Sequence, residues 1–453
     1  MIPRQKGNNM SKTKYEIRGQ DFYINGKLTY SELAGGNPKA HGLLMNQRFI
    51  QGVFNDVNPA HAHLYDRFGK KWDPDQNTHD LCAALPEWYN VGLRAFTIGL
   101  QAGGPIYSFT DWSELQTAAF SPDGKEMNPD TWRRVTEIIK AADELGMIVI
   151  LSFFYAGQMQ YFNDDAAAIE ASKVVCEALK ELDYDNVIIE IANEYDILDH
   201  YNNPETALNK HQNMAAWIRK VKEWTGGRWA VGSSNGHKYD RRVVEASDVV
   251  LLHGNTKRQQ ELHDMFRTVR RWAPNKPIVV NEDSPLFTQL EVAVEDHCSW
   301  GYYNTMTKQE PPCDWGITEG EDKYYAYRMA KLLGIPMPEL PEDDVYLQGF
   351  EENMTIDDGR YIRVASKNPE LIDRVYFCED GRQLDVAFAE PFFLENRMTW
   401  IQEPYYPSEG AKSFTARVVF YDGHEKLLTQ DLTQLPKVDA SKAHTPSPFN
   451  GNL

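Results

Sequence analysis

The stretch VIIEIANEYD, residues 187–196, and the stretch KPIVVNEDS, residues 276–284, decide the fold between them. Each is a short apolar run rich in β-branched residues that stops at an Asn-Glu pair, Asn193-Glu194 in one and Asn281-Glu282 in the other. An unbroken apolar run is how a strand buried on both faces of a parallel sheet reads. The two glutamates stand 282 − 194 = 88 residues apart. Three strand–helix units of roughly 30 residues each would span about 90, which makes these the fourth and seventh strands of a series.

The rest of the series lies to either side. Strands are expected at Phe49–Phe54, Leu93–Leu100, Met147–Phe154, Val187–Ala192, Trp229–Ser233, Val249–His253, Pro277–Asn281 and Gly301–Thr305. The clearest helix opens at Asn128-Pro129, a capping residue followed by Pro at the first helical position, and stops at Gly146. Other helices are expected near 79–89, 165–181, 205–224, 257–272, 288–299 and 321–334, with a short one over Asp240–Ala246. Eight strands joined by crossovers of helical length give an α/β fold, a (β/α)8 TIM barrel. A doubly wound open sheet is disfavoured, because no glycine-rich phosphate loop follows the first strand.

Residues 1–30 read as a tail and a hairpin, with Asn25-Gly26 as its turn. The barrel is expected over 31–338. Gly334–Pro341, with three prolines, reads as a linker. Beyond it, short strands with Gly turns (Tyr361–Ala365, Arg374–Phe377, Leu384–Phe388, Ala416–Tyr421 and Lys426–Thr429) indicate a small β-sandwich over 345–435. The polar segment 436–453 reads as a loose tail.

Composition excludes some functions. The net charge of −19 argues against nucleic acid, whose phosphates reward clustered Lys and Arg. Five widely spaced cysteines with no CxxC indicate neither a disulfide framework nor a zinc site. No apolar run reaches the ~18–20 residues that span a bilayer, so no membrane partner is expected. The polar N-terminus lacks the apolar core of a secretory signal, and a cytoplasmic location is the expectation. Oligomeric state is not legible. No cofactor and no metal is expected.

In a barrel, chemistry sits at the C-terminal ends of the strands, where Glu194 and Glu282 fall. Two carboxyls facing each other across such a mouth suit glycosidic cleavage, in which one protonates the leaving oxygen and the other attacks or stabilises the anomeric carbon. A carbohydrate is therefore the expected substrate. His253, ending the sixth strand in LLHGN, could bond a sugar or the nucleophile. Asp56 and Asn58 after the first strand, and Gln101, Gln158 and Gln160 after the second and third, offer the donors and acceptors that hydroxyl recognition uses. Tyr155, Tyr195 and Trp315 lie beyond strand ends as candidate sugar platforms.

These features resemble the clan A glycoside hydrolases, retaining enzymes on a (β/α)8 barrel, over about residues 30–335. The resemblance implies that Glu194 is the general acid/base, Glu282 the nucleophile, and Asn193 a partner of the sugar 2-hydroxyl. It also implies that Arg94, in the GLRAF of the second strand, holds the nucleophile ionised. The chain departs from the best-known members at two strands. The third reads ILSFFYAGQ, without a His, and the eighth reads GYYNT, without a Trp, a platform that Trp315 could replace. The segment GLLMNQRFIQGVFNDVNP (42–59) resembles a branch of the clan without an assigned substrate. Two other readings are open. One is a metal-dependent amidohydrolase-type barrel using His61, His63, His237 and His253. The other is a catalytically inactive carbohydrate-binding protein.

Overall fold

The computed structural model describes residues 11–108, 114–197, 210–236 and 238–435. The expected tail at 436–453 and His237 lie outside the described residues, as does the start of the helix expected from 205.

The chain opens with a three-stranded antiparallel hairpin sheet, β1 (Tyr15–Arg18), β2 (Asp21–Ile24) and β3 (Lys27–Leu28). Eight short strands follow: β4 (Asn46–Arg48), β5 (Ala95–Gly99), β6 (Ile148–Phe154), β7 (Val187–Ala192), β8 (Val231–Gly232), β9 (Val250–His253), β10 (Ile278–Glu282) and β11 (Gly301–Tyr302). Six of them form one parallel sheet in the order β11-β4-β5-β6-β7-β8, and β9 and β10 form a parallel pair. The pair is tied to the sheet on both sides. Ser299, just before β11, bridges Val279 of β10, and the Asp248 amide, just before β9, donates to the Val231 carbonyl of β8 at 2.8 Å.

Helices α1 (Pro74–Asn90), α2 (Pro129–Leu145), α3 (Asp165–Leu182), α4 (His211–Thr225), α5 (Arg241–Ala246), α6 (Gln259–Trp272), α7 (Gln289–Glu295), the single turn α8 (Thr305–Lys308) and α9 (Glu321–Leu333) connect and follow the strands. Their starts have clear chemical causes. Asp73 and Asn128 cap α1 and α2 by accepting from two amides each, with Pro at the first helical position of both. Gly146, Gly226 and Gly334 end α2, α4 and α9 in the left-handed conformation that costs glycine little. Among the described residues no helix is long and apolar enough to cross a membrane.

The unbroken apolar strands are explained by two cores. On one face Met45, Phe96, Ile98, Val149, Leu151, Ile189, Leu252 and Val280 pack with helix residues such as Leu81, Trp88, Val135, Ile138 and Val175. The alternate residues, Leu44, Ala95, Ile148, Ile150, Ile188, Val249, Leu251 and Val279, form a second core with Phe22 of the hairpin. The hairpin sits over the strand starts. The Tyr15 hydroxyl donates to the Val187 carbonyl at 2.9 Å and accepts from the Ala230 amide.

The first strand departs from expectation. The run Phe49–Phe54 is buried but forms turns, and the strand is the polar Asn46–Arg48 before it. Phe49 still donates its amide to the Thr97 carbonyl of β5 at 2.8 Å, while its ring packs among Trp88, Phe96 and Trp315.

Beyond α9 the chain is strand-rich: β12 (Val345–Gln348), β13 (Thr355–Ile356), β14 (Gly359–Arg360), β15 (Arg363–Ser366), β16 (Ile372–Glu379), β17 (Arg382–Ala387), β18 (Asn396–Met398), β19 (Ile401–Gln402), β20 (Ser413–Phe420) and β21 (Glu425–Asp431). The largest piece is an antiparallel sheet in the order β17-β16-β20-β21. In β20 every second residue is buried, the pattern of a sheet with one face on a core. Val375, Phe377, Phe414, Ala416 and Val418 build that core with Ile362 and Val364. The region is pinned to α9 by an ion pair, Arg363–Glu321, with both partners buried. Burial raises the Glu321 carboxyl to about 7, against the opposing pull of Arg363.

Candidate active site

The C-terminal ends of β7, β9 and β10 bring Glu194, His253 and Glu282 together. One ligand-type atom from each of the three lies within 4.8 Å of the others. The His253 Nδ1 is 3.1 Å from Glu194 Oε1 and 3.7 Å from Glu282 Oε2.

Two local irregularities aim the acids. In the β10–β9 ladder the register shifts between Val280 and Glu282, a bulge. Because strand side chains alternate, Val279 and Asn281 share the inner face and Glu282 would otherwise point to the helices; a bulge re-aims it. Glu194 sits just past β7 with φ of 53°, a left-handed conformation uncommon for any residue but glycine. Such backbone persists only where neighbours fix it. The Glu194 amide donates to the Ser234 hydroxyl at 3.1 Å, and a Cβ on Gly236 would stand only 3.2 Å from the Glu194 side chain.

The two carboxylates have different surroundings. The Glu282 side chain is 8% exposed and that of Glu194 21%. Arg48 Nη1 lies 2.8 Å from Glu282 Oε2, and Asn255 Nδ2 donates to Oε1 at 2.6 Å. Burial works against the charge of Arg48, but Glu282 and then Tyr303 and Glu190 outweigh it, and the guanidinium is held even more firmly protonated than usual. His253 is buried, which disfavours its charge; Glu282 and Glu194 nonetheless raise its pKa above the ordinary 6.5. Below Glu282, the Asn281 amide donates to buried Glu190 at 3.0 Å. Behind it, Asp283 accepts from the Trp300 indole at 2.7 Å, and burial raises its carboxyl to about 7. Gly254 is required there, since a Cβ would meet Asp283 Oδ2 at 2.2 Å.

Several buried polar atoms around this mouth have no protein hydrogen-bond partner among the described residues: Asn193 Oδ1, both side-chain atoms of Asn235, His253 Nε2 and Asn255 Oδ1. Buried polar groups are normally satisfied. A ring of unsatisfied donors and acceptors beside two acids suits a polyhydroxylated ligand.

The other expected site residues fall elsewhere. Arg94 is a correction. It precedes β5, its guanidinium donates to the Tyr89 and Leu93 carbonyls and lies 3.9 Å from the centre of the Tyr89 ring, and it does not join Glu282. The guanidinium beside Glu282 comes from Arg48 of β4 instead. Trp315 is buried, with its indole donating to the Asn77 carbonyl of α1, so it is a packing residue. Gln158 ties down the 115–117 loop, accepting from Thr117 and donating to Leu115. Gln101 accepts from the Tyr155 amide. Asp56 is a loop staple, accepting from the Tyr65 hydroxyl and lying 2.6 Å from His61 Nδ1. Tyr195 is buried, and its hydroxyl donates to the Lys238 carbonyl. Asn193 does stand at the mouth. His61 is thus engaged by Asp56, and His61 and His63 form no ligand cluster with His253 among the described residues.

Arg48 and Asn255 were not found from sequence. Arg48 fell just before an apolar run that drew the start of the first strand three residues too late. Asn255, two residues past His253 in LLHGN, carried only its proximity to a strand end.

Residues 74–231 match the sequence model of Cellulase (glycosyl hydrolase family 5). That span contains β7 and the Asn193-Glu194 pair. No curated protein matches the chain. Among solved structures, it is similar to an endo-1,4-beta-mannanase from Rhizomucor miehei (14% identity, 70% of this chain and 99% of that one, TM-score 0.46). It is also similar to a putative glycoside hydrolase from Bacteroides vulgatus (10% identity, 95% and 82%, TM-score 0.46) and a beta-1,4-D-mannanase from Cryptopygus antarcticus (12% identity, 71% and 95%, TM-score 0.44). The chain is a glycoside hydrolase by the family match. It resembles clan A, the clan of family 5.

Proposed function

We propose that the chain cleaves O-glycosidic bonds of an oligo- or polysaccharide by a retaining double displacement, with Glu282 as nucleophile and Glu194 as general acid/base. The eight parallel strands are read as a closed (β/α)8 barrel over 31–338, and 345–435 as a small β-sandwich set against it. The observation that carries the proposal is the approach of the two carboxylates to within 4.8 Å. Retaining enzymes keep their carboxyls about 5–5.5 Å apart, and inverting ones about 6.5–9.5 Å to admit a water.

The asymmetry of the pair supports the roles. Glu282 is gripped by Arg48, Asn255 and His253, which orient its carboxylate for attack. Glu194 is more open and, among the described residues, meets only His253 among charged groups at salt-bridge distance. In the first step a Glu282 oxygen bonds to the anomeric carbon as the carbon–oxygen bond breaks, and Glu194 gives its proton to the departing oxygen. In the second, Glu194 takes a proton from water, the water oxygen bonds to the anomeric carbon, and Glu282 is released as carboxylate. Asn193 and Asn235 stand where sugar hydroxyls would meet them.

A screen of nitrophenyl glycosides and short oligosaccharides, with NMR of the first product anomer, tests the proposal. Retention of configuration is expected. Inversion would remove the nucleophile role of Glu282, and no turnover of any glycoside would remove the activity.

A further inference from the structure

We infer that Glu190, buried beneath the candidate catalytic pair, is a positioning residue whose hydrogen bond to Asn281 sets the spacing between Glu194 and Glu282. The inference rests on the glycosidase reading above and deepens it.

Glu190 belongs to β7, and Glu194 follows just past the end of that strand; Asn281 and Glu282 end β10. β7 pairs with β6 and β8, and β10 pairs with β9, so among the described residues no backbone ladder joins the two strands that carry the acids. The route between them along the strands passes through β8 and β9, which form no ladder with each other. The side chains supply a direct link, in which Asn281 Nδ2 donates to Glu190 Oε1 at 3.0 Å. One end of this bond stands four residues before Glu194, and the other stands on the residue before Glu282.

The surroundings make room for the link. In the β7–β8 ladder Glu190 is paired with Gly232. A Cβ on Gly232 would stand 2.5 Å from the Val249 carbonyl oxygen and 3.2 Å from the Leu251 side chain, so β8 contributes no side chain next to Glu190. Asn281 in turn depends on the bond. Its Oδ1 is buried with no hydrogen-bond partner among the described residues, so Glu190 is the group that orients this amide. Asn281 also lies within the register shift between Val280 and Glu282, where the regular ladder is lost. A strand that is bulged at the residue bearing a catalytic group needs a side-chain anchor at that point, and the Glu190 carboxylate supplies it.

The spacing matters to the chemistry. Retention asks for carboxyls about 5–5.5 Å apart. A misplacement of about 1 Å costs on the order of 10²-fold in rate. Glu190 also favours the protonated form of Arg48, the guanidinium beside Glu282. Gln in its place separates that charge from the hydrogen bond, since the amide keeps an acceptor oxygen.

The test uses the full chain and the glycoside that the wild type turns over. Asn281→Ala and Glu190→Ala are each expected to lower kcat about 10- to 100-fold, with KM within about twofold. The double variant should lose no more than the worse single one, because both substitutions remove the same bond. Glu190→Gln should keep kcat within about threefold of wild type. Glu190→Gln and Asn281→Ala give the answer even if Glu190→Ala does not fold. A merely structural role would lower the melting temperature and leave kcat of the folded protein unchanged. Wild-type kcat in Asn281→Ala, losses that multiply in the double variant, or a loss in Glu190→Gln as large as that in Asn281→Ala overturns the inference and leaves the glycosidase reading intact. Failure of the wild type on every glycoside overturns both.

Discussion

The lower and upper halves of the strand interior are built from the same eight strands and could hardly differ more. At the strand starts the inward positions are Leu44, Ala95, Ile148, Ile188, Val249 and Val279, closed over by Phe22 of the hairpin. A few residues further along the same strands they are Arg48, Glu190, His253, Asn281 and, through its bulge, Glu282. The lower half buries apolar surface and satisfies its backbone. The upper half buries charges and leaves polar atoms unpartnered. Burial of polar groups without partners costs stability. That cost is concentrated at the mouth, around the candidate catalytic pair Glu194 and Glu282, and the apolar half offsets it.

Substitutions can break that division. The largest effect is expected at the top. Glu282→Ala should lower kcat/KM by on the order of 10⁴-fold or more, the scale on which removal of a nucleophile acts. Its melting temperature should also fall, because the buried Arg48 guanidinium loses its partner carboxylate, so activity is compared at a temperature where the variant is still folded. Appreciable residual turnover would show that the upper half does not work through Glu282. Next in size is Phe22→Ala at the bottom. Phe22 is fully buried, so about 3–5 kcal/mol of stability should be lost in denaturant titration, with kcat unchanged at 25 °C. A drop in kcat as large as the drop in stability would mean that the two halves are not separable.

The smallest effect concerns pH. The folded pKa of His253 is raised by Glu282 and Glu194, so protonation favours the folded state. Its contribution to stability is complete below the ordinary value of 6.5 and disappears as pH rises through the higher folded value. A plot of unfolding free energy against pH should therefore decline across that window in wild type and flatten in His253→Gln. The same slope in both proteins would place the titration elsewhere.

The sequence exposed the lower half more readily than the upper. Strands β5, β6, β7, β9 and β10 were legible because both of their faces are apolar, and an apolar run is a local signal. β4 was not, because Asn46, Gln47 and Arg48 are polar residues in buried positions, and only the surrounding charges make that arrangement tolerable. Arg94 was taken for Arg48 for a related reason. Both are arginines near a strand, and nothing local tells which end of the strand each occupies.

Glu194 and Glu282 were chosen by the chain itself, through the Asn-Glu pairs and their 88-residue separation, since strand periodicity and unit length are properties of short segments. Tertiary structure alone decided which groups surround them. Arg48 and Asn255 come from elements far apart in the chain, and only the bulge in β10 and the left-handed backbone at Glu194 bring the acids to face them. Contacts of that kind depend on where whole elements pack, and no stretch of ten residues records it.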